Sequence, residues 1–188
     1  MVNVIFLMDG CKQDRSAYIA ALNMSFAKRK EAAGEIHIAP ESCCKRFVRF
    51  TTEAMSRILP DASEPLSGWG TRNYYFYEII NSAGKAVFMQ LTLSMKDLPD
   101  DRKEICERIS KHFPSRQQKT NLLWRYPFVT ERARITENST EEEILQILND
   151  QYSWLQKFER RLMKQMGSEK RQEKGALSWQ RVQDVGKK

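Results

Sequence analysis

The chain of 188 residues is poor in cysteine and histidine, and it contains no long apolar run. Its four cysteines are Cys11, Cys43, Cys44 and Cys106, and the adjacent pair is too close for an unstrained disulfide. A secreted disulfide framework would need more cysteines at regular spacing, so we predict a reduced, cytoplasmic location. No segment approaches the roughly 20 apolar residues of a membrane-spanning helix, and we therefore expect no membrane partner.

Motifs for catalysis and metal binding are also missing from the sequence. The chain has no GxSxG nucleophile elbow, no GxxxxGK[ST] phosphate loop and no GxGxxG dinucleotide motif. His37 with Cys43 and Cys44 matches no common zinc spacing, and His112 is expected at a helix end, where the dipole favours an imidazolium. We therefore predict no catalytic residue, no metal site and no cofactor.

Positive charge is in excess. Thirty-one Lys and Arg residues against 24 Asp and Glu residues give a net charge of +7 at neutral pH. Charged residues make up 29% of the chain and hydrophobic residues 41%, a balance typical of a soluble globular domain. A basic domain is suited to a polyanionic partner such as nucleic acid.

The pattern of residues predicts an α+β fold, in which a mostly antiparallel sheet around a central hairpin packs with three or four helices. The hairpin covers residues 73–93, where two arms rich in aromatic and β-branched residues flank a turn at 81–84. A first helix is predicted over residues 14–33, ended by Gly34, and a buried strand over residues 2–8.

Signals at segment ends predict the remaining elements. A second helix is expected from residue 41 or 42 to Leu59, and a third from Asp97 to Pro114. Pro127 makes the extended segment 122–129 an edge strand or a bent one.

The closing helix has the clearest signals. Thr140 and Glu143 form a capping box at its start, and Gly167 is expected to end it. Its apolar stripe consists of Ile144, Leu148, Leu155, Phe158, Leu162 and Met166. We predict a single α+β domain over residues 1–166 and a flexible basic tail over residues 167–188.

Basic side chains cluster on the predicted helices. Four basic residues on the closing helix fall within about 100° of arc, roughly opposite the apolar stripe. This pattern is typical of a solvated helix face, and the alternative is a ridge that follows the phosphates of a nucleic acid. A second cluster of three lies on the second predicted helix, and one arginine precedes the hairpin. The candidate residues for binding nucleic acid or an acidic partner are Lys157, Arg160, Arg161, Lys164, Lys45, Arg46, Arg49 and Arg72.

Four consecutive aromatic residues, Tyr-Tyr-Phe-Tyr at 74–77, lie in the first arm of the hairpin. Two of the four point to each face of a strand. If both faces are covered, all four belong to the core. If one face is open, its aromatic side chains are suited to base stacking or to a protein partner. Trp69, in a glycine-rich loop, is expected to be exposed.

A family resemblance is carried by several of these segments. They are Gly68 to Ile79, Val87 to Leu91, Ile105 to Phe113, Trp124-Arg125 and the long closing helix. Together, over residues 66–166, they resemble the C-terminal, non-catalytic region of bacterial PD-(D/E)XK nuclease-like proteins associated with defence systems and mobile elements. The resemblance implies a nucleic-acid context. The family's E-x-K position is occupied here by Gln90 and Thr92, so no catalytic residue is carried over.

Three functions follow as hypotheses. The favoured one is a non-enzymatic binding protein acting on nucleic acid or a nucleoprotein complex, with an anti-CRISPR-like inhibitor from a phage or mobile element as its narrower form. The alternative is a divergent metal-dependent nuclease or nuclease subunit that uses Asp9, Glu78 or Asp100 with Asp101. A further alternative is a protein-interaction module whose basic surface serves only solubility.

Overall fold

The computed structural model describes residues 14–66, 69–96, 98–114 and 123–185, with side chains as far as residue 167. The helices in this part of the chain are α1 (Arg15–Ala32), α2 (Glu53–Ile58), α3 (Asp100–His112) and α4 (Glu141–Val185). The strands are β1 (His37–Ile38), β2 (Phe47–Thr51), β3 (Tyr75–Asn81), β4 (Ala86–Ser94), β5 (Trp124–Val129) and β6 (Ala133–Arg134). The predicted α+β class is confirmed.

The strands form one antiparallel sheet in the order β1-β2-β3-β4-β5, and β6 also pairs with β4. The predicted hairpin is its centre, because β3 and β4 pair along the whole length of β3. Pro127 lies in β5, at the end of the strand order, as an edge strand requires. No helix in the described ranges is long and apolar enough to cross a membrane.

One face of the sheet, the helix face, packs against α1, α3 and α4. Its buried strand residues are Val48, Phe50, Tyr75, Tyr77, Ile79, Val87, Met89, Leu91 and Leu93. They meet Ile19, Leu22 and Phe26 of α1, Cys106 and Ile109 of α3, and the predicted apolar stripe of α4. Because side chains alternate along a strand, the intervening residues point to the other face, which we call the outer face.

Side chains cap the first turns of α1 and α4, and the cap of α4 is the predicted capping box. The Asp14 side chain accepts hydrogen bonds from the backbone N–H groups of Ser16 and Ala17. In the predicted capping box, Glu143 N–H donates to Thr140 Oγ1 at 3.2 Å, and Thr140 N–H donates to Glu143 Oε2 at 2.9 Å. These bonds satisfy backbone donors that have no partner inside the helix.

The predicted second helix over residues 41–59 is wrong. The segment instead forms a short 3₁₀ turn, the strand β2 and only then α2, whose N-terminus is capped by Thr52. Val48 and Phe50 are buried while the residues around them are only partly buried, so the apolar period here is two rather than 3.6. Arg49 therefore lies on a strand and points to the outer face.

The predicted end of α4 at Gly167 is also wrong, since the helix continues to Val185. Glu, Lys, Arg and Gln fill residues 169–174 between the two interior glycines, Gly167 and Gly175. These residue types favour helix and oppose the cost of each glycine, which is about 1 kcal/mol. The flexibility of residues 167–188 stays a prediction. The strand predicted over residues 2–8 and the cap at Asp97 lie outside the described residues.

Candidate nucleic-acid interface

The four basic candidates on α4 are all exposed, and three of them lie along one groove. Lys157 and Arg161 line a cavity of about 710 Å³ between α4, β5 and the end of α3. Arg161 and Lys164 line an adjoining cavity of about 380 Å³. Arg160 lines neither cavity. Three cations of the predicted α4 cluster therefore lie in the groove, and the fourth, Arg160, lies outside it.

Aromatic rings form the floor of this groove. Phe128 of β5 stacks on Phe158 of α4 with 4.8 Å between ring centroids, and Phe113 meets Phe158 edge-on at 5.0 Å. The guanidinium of Arg161 lies 5.7 Å from the Phe113 ring, within the range of a cation–π contact. Trp154, on the same helix, lines the larger cavity and is 45% exposed.

A third cavity of about 550 Å³ extends the groove between α4 and β6. It shares Trp154 and Lys157 with the first cavity. We call the three cavities together the α4 groove, which follows α4 from Ile147 to Gln165 over about 27 Å at 1.5 Å per residue. Its cations on α4 are Lys157, Arg161 and Lys164, and its two acids are Glu131 and Asp150. Arg132 and Arg134 also line the third cavity, but the Arg132 guanidinium lies 4.7 Å from the ring of Phe88 on the outer face, and Arg134 pairs with Ala86, which points to that same face.

The groove cations on α4 lack counter-charges in the part of the chain that the structure describes. Lys157, Arg161 and Lys164 form no salt bridge with a carboxylate there. By contrast, the Lys45 ammonium pairs with Asp14 at the start of α1. The α4 groove thus presents uncompensated positive charge that is accessible to an anionic ligand.

On the outer face, Arg49 of the second predicted cluster is in a different state from the groove cations. Arg49 Nε donates to Glu78 Oε1 at 2.8 Å. Gln90 Nε2 and Thr92 Oγ1 both donate to Glu78 Oε2 at 2.7 Å. Glu78 is 4% exposed, so its charge is buried and fully hydrogen-bonded. Gln90 and Thr92 therefore hold this carboxylate in place.

The acids of the nuclease hypothesis do not assemble in the described residues. Glu78 is occupied as above, whereas Asp100 and Asp101 begin α3 and are exposed. Asp9 lies outside the described residues. Across the described ranges, no group of three or more His, Cys, Asp or Glu side chains could hold a metal ion.

Trp69 covers the outer face. Its ring lies 4.8 Å from that of Phe76 and stacks on Trp124 at 5.0 Å. Phe76 is fully buried, and so are its neighbours at 74–77 within a few per cent. Both faces of β3 are therefore covered, one by helices and one by this loop. Trp69 was expected to be exposed and is instead partly buried.

The two predicted basic clusters do not form one surface. Arg49 points to the outer face, opposite the helix face that α4 covers. Arg46 and Arg72 are exposed but line none of the three cavities of the α4 groove. Of the eight candidates, only Lys157, Arg161 and Lys164 converge on a shared site.

Glu159 lies on the inner side of α4. Its carboxylate accepts a hydrogen bond from the Thr52 hydroxyl, which links α4 to the start of α2. Burial raises the pKa of Glu159 above its usual 4.5, and the hydrogen bond from Thr52 opposes that shift. The helix α4 thus carries its groove cations on the solvent side and, on the side that packs against the protein, a carboxyl group whose charged form is disfavoured by burial.

Trp154, Arg132 and Arg134 were not among the sequence candidates. For Trp154 a signal exists, because Trp154, Lys157, Arg161 and Lys164 follow at i, i+3, i+7 and i+10, which is one helix face. Arg132 immediately precedes β6 and Arg134 lies in it, and this two-residue strand is too short to be recognised by its pattern.

Comparison of the chain with protein-family models, with curated proteins and with solved structures gives no match. The resemblance to the nuclease-like region stays a prediction.

Proposed function

We propose that the protein is a non-enzymatic nucleic-acid-binding protein and that the α4 groove is its binding surface. The observation that carries this proposal is the set of exposed cations without carboxylate partners, Lys157, Arg161 and Lys164, along a groove floored by aromatic rings. Cations that contact phosphates release condensed counterions, which supplies most of the affinity of sequence-independent binding.

The composition of the groove favours nucleic acid over an acidic protein. Three cations on α4 against two acids leave the groove positive, and this charge attracts a polyanion. The interleaved aromatic side chains, Phe113, Phe128 and Trp154, add surfaces that suit nucleobases. A basic surface that served only solubility would need neither a groove nor aromatic rings beside the charges.

The test uses two triple variants that lose the same positive charge. Lys157→Gln with Arg161→Gln and Lys164→Gln empties the groove of its α4 cations. The matched control changes Lys28, Lys103 and Arg160 to Gln, which are exposed residues that line none of the groove. The slope of log Kobs against log salt is negative, and each phosphate contact contributes roughly 0.7–0.9 to its magnitude. We expect the groove variant to reduce that magnitude by about 2 to 3 and the control to keep the wild-type slope.

Fluorescence anisotropy with labelled DNA at several salt concentrations measures both slopes. Equal losses in the two variants would contradict the assignment to the groove. If the wild-type protein binds no nucleic acid, the proposal is wrong and an acidic protein becomes the preferred partner. The narrower hypothesis of an inhibitor of a nuclease-based defence system stays a prediction.

A further inference from the structure

We propose that the α4 groove selects single-stranded over double-stranded nucleic acid by stacking an unpaired base on Trp154. This inference rests on the proposed function and specifies its substrate class. Its evidence lies in the part of the groove between α4 and β6.

Trp154 is placed as a stacking platform. Its side chain is 45% exposed, although the aromatic residues on the floor beside it are partly or largely buried. It lines both larger cavities of the groove, and Lys157 follows one helical turn later. A base stacked on the indole would therefore have a cation within reach of its phosphate. Stacking of bases on aromatic side chains is tolerant of sequence because every base has a π face.

Gln151, one turn before Trp154, supplies a second observation that points to a ligand. It lines the cavity at β6 and is only 3% exposed. Its Nε2 donates to the carbonyl oxygens of Val87 at 3.0 Å and Glu131 at 3.3 Å, which fixes the orientation of the amide. Its Oε1 has no hydrogen-bond partner among the described residues. The oxygen itself is buried, and a buried acceptor without a donor is unfavourable, so a water molecule or a ligand N–H group that reaches it from the cavity is favoured there.

A single strand can meet both requirements, whereas a duplex cannot without being opened. In a single strand the base faces are free to stack and the Watson–Crick edges carry unpaired N–H donors. In a duplex the faces are stacked on neighbouring bases and the edges are paired, and extruding one base costs a few kcal/mol. Cavities of about 550 and 710 Å³ are also of the size that encloses ligands such as one or two unstacked nucleotides.

The experiment compares Trp154→Ala and Trp154→Phe with the wild-type protein. The probes are a single strand of about 12 nucleotides, the same length of duplex, and a strand in which the bases are absent but the phosphates remain. We expect the wild type to bind the single strand about 10-fold more tightly than the duplex. We expect Trp154→Ala to weaken single-strand binding about 10-fold with less than a twofold effect on the duplex, while Trp154→Phe retains most of the affinity.

The abasic strand separates stacking from charge, because it should bind wild-type protein and Trp154→Ala equally. Equal wild-type affinity for single strand and duplex would overturn the inference, as would a Trp154→Ala variant that weakens both probes alike. In either case the proposed function still stands if the groove triple variant shows the reduced salt slope and its matched control keeps the wild-type slope. If the wild type binds none of the probes, both proposals fail together. Melting temperatures of the variants confirm that the fold is retained.

Discussion

The outer face of the sheet and the α4 groove each place an arginine against aromatic rings, yet the two arginines differ in their counter-charges. Arg49 lies 4.2 Å from the Phe47 ring, and its side chain is 17% exposed and paired with Glu78. Arg161 lies 5.7 Å from the Phe113 ring, is exposed, and has no carboxylate partner in the described part of the molecule. The same residue types therefore stabilise the fold in one region and remain available for a ligand in the other.

The difference has an energetic consequence. Removing one member of a buried ion pair leaves a charge in a medium that solvates it poorly, whereas removing an exposed, unpaired cation leaves nothing unsatisfied. Substitutions on the outer face should therefore change mainly the free energy of unfolding, and substitutions in the α4 groove should change mainly the binding of a ligand.

The largest expected effect is on the outer face. Glu78→Leu leaves Arg49 buried beside aromatic rings without its partner, and we expect a loss of about 3–5 kcal/mol in the free energy of unfolding. The double variant Arg49→Leu with Glu78→Leu removes both charges and should recover much of that loss. Urea denaturation of the three proteins measures the free energies. A single variant as stable as the wild type would show that the pair is not desolvated.

A smaller effect on the free energy of unfolding is expected from changes at Glu159. This carboxylate lies on the buried side of α4 and forms no salt bridge with the described residues. Burial raises its pKa above 4.5 in the folded state. The folded protein therefore holds this proton more tightly than the unfolded chain, which stabilises the fold below pH 4.5 and ceases to do so as the pH rises through the folded pKa.

The Gln side chain of the Glu159→Gln variant is neutral at every pH, so the stability of this variant does not change with pH through residue 159. We expect it to gain stability relative to the wild type between pH 4 and pH 7, on the order of 1 kcal/mol or less. Thermal melts of both proteins across this range provide the measurement. A constant difference between the two proteins at all pH values would contradict the raised pKa.

Local signals account for the parts of the fold that could be predicted. The hairpin of β3 and β4 and the Thr140 cap of α4 are specified by neighbouring residues, and both are present. The second helix was wrong because basic residues between apolar ones in segment 41–59 are compatible with a helix face as well as with a strand. Tertiary packing, which the pattern does not contain, decided between them.

Of the candidate site, the sequence predicts only which basic residues share a helix face. Lys157, Arg161 and Lys164 share a helix face and can be found from their spacing. Whether a cation has a partner depends on distant segments, as for Arg49 and Glu78, which are 29 residues apart and meet across two strands. The floor of the groove likewise joins Phe113 at the end of α3 with Phe128 of β5.

The most direct test compares two neighbouring arginines, Arg160→Gln and Arg161→Gln, in DNA binding at several salt concentrations. Both residues are exposed on α4, but only Arg161 lines the groove. Each variant should keep its free energy of unfolding within about 0.5 kcal/mol of the wild type. We predict that Arg161→Gln lowers the salt slope by about one and that Arg160→Gln leaves it unchanged. Equal slopes in the two variants would contradict the claim that the α4 groove is where this protein binds nucleic acid.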